Sequence, residues 1–386
     1  MNSRERVLAA IQHREPDRIP FDLGGTVASG IHTRAYRNLR AYLGLPEVEI
    51  KIDDMIQQLA TVDEDVRARL RPDLRCVAPR SSALYRLDLQ DQGEYTAYYD
   101  EWGVGWRMPK EGGFYYDMFH HPLRDITSVD ELKDFRWPDP TDPGRFAGLR
   151  ERARASRERG EAVILGGLCA GIAEMAAWTL GFESFYTNLA ADPKLVGAIM
   201  DKVVELKAEY WGRALAEAGD YIDVVQEADD VAGQFGMIIS PRTFREVIKP
   251  RQRELFAFIK KQANVAIWFH SCGAVREIIP DLLDVGIDIL NPVQVSATGM
   301  DTAELKREFG RDLTFWGGGV DTQRIFGQGT PDEVRAEVRR RIADLAPGGG
   351  FVFATVHNTQ ANVPPQNFMA MWETLQEAND TGSWRG

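Results

Sequence analysis

The chain has 386 residues and a formal charge of −12, with 44% hydrophobic and 27% charged residues, the balance of a soluble globular protein. That composition excludes a disordered, collagen-like or disulfide-framework protein. The acidic balance argues against a nucleic-acid partner, which would require a cationic surface.

Residues 1–6 lead into VLAAIQHREPDR rather than into a hydrophobic signal core, and no run approaches the ~18 apolar residues of a membrane span. With three sparse cysteines, Cys76, Cys169 and Cys272, the expectation is a cytoplasmic protein with no membrane partner. Segments 18–23 and 75–78 are the first predicted strands. Polar and apolar residues then alternate over 82–108 around Asp91-Gln92-Gly93, predicting an antiparallel hairpin. Aromatic residues crowd 95–120, among them Tyr95, Trp102, Trp106, Tyr115 and Phe119. This insertion, at about 82–121, is read either as the cap of a pocket, as a surface buried against a second chain in a homodimer, or as a small core of its own.

Beyond residue 160, short apolar strands (162–165, 221–226, 265–269, 287–290, 313–316 and 351–355) alternate with helices. Asp192-Pro193, Ser240-Pro241 and Thr330-Pro331 each place a capping side chain before a first-turn proline. Most strands are apolar on both faces, as parallel strands covered by helices are. About eight of them predict one distorted (β/α)8 barrel over 1–386, with an elaborated N-terminal third. The alternative is an open doubly wound sheet, although no GxGxxG follows the first strand.

Catalysis in such a barrel sits at the C-terminal strand ends. Those ends deliver Glu227, Asp229 and Asp230, then His270-Ser271-Cys272, then Gly317-Gly318-Gly319, and finally His357. Residues i and i+2 of an extended segment point the same way, so His270 and Cys272 could share one ion. Zinc accepts that mixed set, with His357 as third ligand and Glu227 or water as fourth. An isolated His-X-Cys is a weak signal, and on spacing alone a hydrogen-bonded loop histidine beside an inert cysteine is the plainer reading. Glu227 and Asp229 are the catalytic candidates, as general base or ligand, against the reading of a solvated loop. The glycines either let backbone amides approach a cofactor or make a tight strand-to-loop turn. Cys76 and Cys169 read as packing residues.

The stretches RERVLAAIQHREPDRIPFDLGG, FHSCGAVREIIPDLLDVGIDILNPVQ, LTFWGGGVDTQ and VHNTQANVPPQNFMAMWETLQEA resemble the uroporphyrinogen decarboxylase superfamily. The resemblance spans nearly the whole chain and implies a distorted (β/α)8 barrel. It implies one of two chemistries: cofactor-free decarboxylation of a tetrapyrrole, or zinc-dependent methyl transfer to or from cobalamin on a separate corrinoid protein. The arginine-rich stretch with which decarboxylases hold carboxylates is replaced here by Phe21-Asp22-Leu23-Gly24-Gly25. In the methyltransferase branch a His-X-Cys follows the fifth strand, matched by His270 and Cys272. A further cysteine stands seven residues before a proline, and here that position, counted from Pro364, is His357. The resemblance therefore implies a methyltransferase with a small methylated substrate, such as a methyl ether, and a corrinoid-protein partner. A barrel that has kept binding but lost catalysis is a third reading.

Overall fold

The computed structural model describes residues 1–191 and 193–385, so the predicted cap Asp192 lies outside the described residues. Seven parallel strands run side by side in chain order: Leu74–Val77 (β1), Ala162–Leu165 (β2), Val224–Ala228 (β3), Ala266–His270 (β4), Ile289–Asn291 (β5), Thr314–Trp316 (β6) and Phe351–Val352 (β7). The predicted strand at 18–23 is reduced to a single parallel bridge, Phe21 to Phe353. It still occupies the eighth position. Phe353 N–H donates to Pro20 O and Asp22 N–H to Phe353 O on one side, while Asp73 N–H donates to Phe21 O on the other. Pro20 has no N–H and Phe21 N–H goes to the Asp73 carboxylate, so a regular ladder cannot form there. The result is a distorted (β/α)8 barrel.

Alternation along each strand divides the core. Val163, Leu165, Ile267, Phe269 and Leu290 face the surrounding helices. Leu74, Ile164, Val224, Trp268, Ile289 and Trp316 fill the interior, joined from the N-terminal end by Val7 and Ala10 of the helix Ser3–Ile11. His270, two residues beyond Trp268, continues the inward face, its ring stacked on the indole at 5.7 Å.

The expected helix starts take the forms their sequences dictate. Thr330 and Glu333 close a capping box on the helix Pro331–Leu345, which buries Val334, Val338, Ile342 and Leu345. Ser240 Oγ accepts from Thr243 N–H, but the helix begun there passes through a π turn, Phe244–Ile248, before Lys249–Gln262.

The predicted hairpin is part of a separate four-stranded antiparallel sheet: Gln90–Gln92, Tyr95–Tyr99, Gly105–Pro109 and Asp117–His120. Its first turn falls at Asp91-Gln92-Gly93, where Gly93 adopts φ 72° and Asp91 accepts from its N–H. One side of this sheet joins the main core through Tyr98, Trp106 and Tyr116, and the other carries the exposed Tyr99, Arg107 and Asp117. No helix among the described residues is long and apolar enough to cross a membrane.

Candidate functional site

The C-terminal strand ends open into a cavity of about 700 Å³, lined on one side by His270 and His357 and on the other by Trp102, Trp106 and Tyr116. Ligand atoms of His270, Cys272 and His357 all lie within 4.8 Å of one another, with Cys272 Sγ 3.3 Å from His270 Nε2. The fold brings them together because β4 ends on His270 and the chain then turns sharply back. Gly273, at φ 94°, passes so close to the Ala232-Gly233 backbone that an added Cβ would sit 2.7 Å from it. Asp230 accepts the Cys272 N–H at 2.7 Å and fixes the thiol-bearing residue.

The tautomer of His270 follows from its neighbour. Asn291, directly opposite on β5, donates Nδ2–H to Trp316 O at 2.8 Å. Its Oδ1 must then face His270 Nδ1, 2.6 Å away, and accept that N–H. Nε2 is left unprotonated and turned toward Cys272, the arrangement in which a ligating histidine is oriented by a second residue. His357 meets His270 edge to face at 5.4 Å. Burial and the neighbouring imidazole push it down to about 3, so it is neutral and able to coordinate. Burial, with Asp230 and Glu174 nearby, pushes the Cys272 thiol up, a situation that a bound cation reverses. Two neutral imidazoles and one thiol fit zinc in both number and type.

The carboxylates sort differently from the sequence reading. Glu227 lines the cavity, but its two oxygens are taken: Lys207 Nζ donates at 2.7 Å and Trp211 Nε1 at 2.6 Å, with Lys207 and Glu227 both buried. A carboxylate held this way is a structural anchor rather than a free base. Asp229 is turned away from the cavity. Its Oδ1 accepts the Ala173 and Glu174 N–H groups at the start of the helix Ile172–Leu180, and its Oδ2 accepts from Gln252. In their place Glu174 and Asp230 line the cavity, and burial among Asp229 and Asp230 pushes Glu174 up to about 8.

Gly317, Gly318 and Gly319 make the tight turn. Gly317 N–H donates to Val352 O and Gly319 N–H to Ala354 O, leaving neither amide for a cofactor. Gly317 and Gly318 adopt φ 94° and 80°, and a Cβ on Gly318 would fall 2.7 Å from Val293. Their function is to let β6 pass close to β5 and β7. Cys76 and Cys169, expected as packing residues, line the cavity wall, where burial pushes both thiols up to about 12.

Sequence reasoning missed Asn291, Glu174 and Lys207. Asn291 was findable, since it stands one position beyond a predicted strand, at the same mouth as His270. Glu174 is the single charge in IAEMAAWTL, a carboxylate that an apolar helix would not carry without a reason. Lys207 gives no such signal, because its partner is 20 residues away and only the packed helix brings them together.

Inward groups converging on the strand C-termini are the arrangement of a barrel enzyme. Residues 99–378 match the family described as Uroporphyrinogen decarboxylase (URO-D), and the chain belongs to that family. The uroporphyrinogen decarboxylase of Alkalilimnicola ehrlichii is 24% identical over 97% of this chain and 93% of that enzyme. The decarboxylase of Neisseria meningitidis is likewise 24% identical, over 51% of this chain and 52% of its own length. A methyltransferase from Methanosarcina mazei has the same fold, with a TM-score of 0.66 at 19% identity, across 98% of this chain and 99% of that one.

Proposed function

We propose that this chain is a zinc-dependent methyltransferase that moves a methyl group between a small methylated substrate and a corrinoid carried on a partner protein. The observation that carries the reading is the triad of His270, Cys272 and His357 at the floor of an open cavity, with Asn291 holding Nε2 of His270 free. Zinc bound by these three supplies a Lewis acid for a thiolate or for the heteroatom that exchanges the methyl group. The protein's part is positional. Asn291 orients His270, Asp230 holds the Cys272 backbone, and Glu174 stands beside the triad as the group able to hold or release a proton. Lys207 and Trp211 keep Glu227 in place as part of the cavity wall.

The curated relatives' names favour a second reading, decarboxylation of a tetrapyrrole. Two features weigh against it. No Lys or Arg lines the cavity, so a polycarboxylate would enter without a charge partner. The segment after the first bridge position holds Asp22, which accepts from Trp316 Nε1 and Gly25 N–H, where decarboxylases place arginines.

Metal analysis followed by incubation with cob(I)alamin and a panel of methylated donors tests the proposal. The expected result is about one zinc per chain and a methylcobalamin spectrum with at least one donor. Zinc lost on desalting, or robust formation of coproporphyrinogen from uroporphyrinogen, overturns it.

A further inference from the structure

We infer that the cavity selects a methylated, positively charged nitrogen, so that the substrate class, given the methyl transfer proposed above, is a quaternary or tertiary ammonium cation. The charge of the lining is the first observation. Seven acidic residues and no Lys or Arg border the space. Two of the seven already have internal cations, Glu227 with Lys207 and Glu101 with Arg145. Two more, Glu174 and Asp230, stand beside the triad, where a metal ion would balance them. Asp117, in register with the exposed Arg107 and so on the face opposite Trp106, turns its side chain to solvent, which leaves Asp54 and Asp100. They are carried by the strand Ile52–Asp54 and by the insertion, and neither forms an ion pair among the described residues.

The second observation is aromatic and independent of charge. Trp102, Trp106, Trp178, Tyr116 and Tyr85 line the same space. Trp106 and Trp178 meet at 5.2 Å and 79°, so together they form a corner of two ring systems. The indole N–H of Trp106 donates to Asp100 Oδ2 at 2.8 Å, and Asp100 also accepts the Trp102 and Val104 N–H groups. The carboxylate therefore stands at the edge of the indole and adds to the negative potential of its face. A methylated ammonium is the ligand such a corner attracts: its charge is spread over methyl groups, it is weakly hydrated, and it has no N–H or few to satisfy. A neutral ether would leave these two carboxylates uncompensated, and an anion would be repelled by them. Burial holds Asp100 up at about 6, so a cation beside it relieves a costly charge.

The chemistry balances. The acceptor, a thiolate or a reduced corrinoid, provides the electron pair for the new bond to carbon, the C–N bond breaks, and its pair remains on nitrogen. The amine leaves the step neutral and takes up a proton afterwards.

The test is a pair of titrations on the full chain after chelation of metal, read by tryptophan fluorescence and calorimetry. Choline is one probe, and 3,3-dimethylbutan-1-ol, its neutral carbon analogue, is the other. Choline should bind at least about tenfold more tightly, the difference a partly desolvated cation–aromatic contact supports. Asp54→Asn keeps an acceptor for the Gln57 N–H and should weaken choline severalfold without affecting the neutral analogue, whereas Asp117→Asn, on the solvent face, should leave both unchanged. Trp178→Leu should abolish the preference and Trp178→Phe retain most of it. Equal binding of the two probes, tighter binding of 4-methoxybenzoate, or no choline binding at millimolar concentrations overturns the inference. Because no metal is present, these outcomes are separate from the fate of the methyltransferase reading, which stands or falls on zinc retention and methyl transfer.

Discussion

The strand-end wall of the cavity and the insertion wall hold their residues by different means. His270 and Asn291 stand on neighbouring parallel strands whose interiors are buried on both faces, so their separation is fixed by the ladder itself. Trp102, Trp106 and Tyr116 lie on or beside an antiparallel sheet and are tied to the rest of the chain by packing and by a few hydrogen bonds such as Tyr115 O–H to Gln360 and Arg145 to Glu101. A rigid element suits a metal site, where a displacement of a fraction of an ångström matters. A sheet packed on top can vary its side chains without disturbing the staves. On the function proposed above, chemistry and selectivity are carried by separable parts of the chain.

Loss of a ligand should break the strand-end wall most completely. In Cys272→Ser or His357→Ala, zinc should fall from about one per chain to trace amounts, with methyl transfer reduced by more than about a hundredfold and folding retained. Metal analysis and circular dichroism check this; unchanged zinc would remove these residues from the ligand set.

Next comes the anchor beneath the same wall. Lys207→Met leaves the buried Glu227 charge without a partner and should cost about 3–5 kcal/mol in urea unfolding. Adding Glu227→Leu should return most of that stability. If Glu227→Gln instead abolished turnover without altering stability or zinc content, the carboxylate would be chemical rather than structural.

A smaller effect is expected at Asn291, which meets His270 and Trp316 and does not line the cavity. Asn291→Ala should weaken zinc about 10–100-fold by freeing the His270 ring, measured by competition with a chelator. Zinc affinity equal to that of the parent protein would mean that the backbone alone orients the histidine.

The insertion wall offers a pH test. Burial raises Asp100 from 3.8 to about 6. The folded carboxyl keeps its proton to a higher pH than the unfolded one, so its contribution to stability is complete below about pH 4 and is lost as pH rises to about 6. Across that window the parent protein should lose about 2 kcal/mol relative to Asp100→Asn, which cannot titrate. Parallel stability profiles for the two proteins would show that the insertion does not desolvate this group.

The amino-acid sequence by itself determined the barrel and the strand ends that carry its candidate site. Strands such as 162–165 and 265–269 are apolar on both faces, and that pattern leaves parallel packing between helices as the way to bury them. Thr330 and Ser240 mark helix starts through a local bond to a backbone N–H a few residues on, which needs no tertiary context. The His-X-Cys spacing carries the same local logic, because both residues follow one strand. What the tertiary structure decided were the pairings across long separations. Glu227, the best candidate base by position, meets Lys207 and Trp211 from the helix Pro193–Ala218, while Asp229 goes to the start of another helix. Segment 18–23 keeps its place in the ring but not its ladder, because an Asp73 side chain replaces a backbone acceptor. Period and capping report what a residue does with its own neighbours. A buried charge is decided by which distant partner reaches it, because desolvation penalises every arrangement except the paired one, and only the packed fold selects that partner.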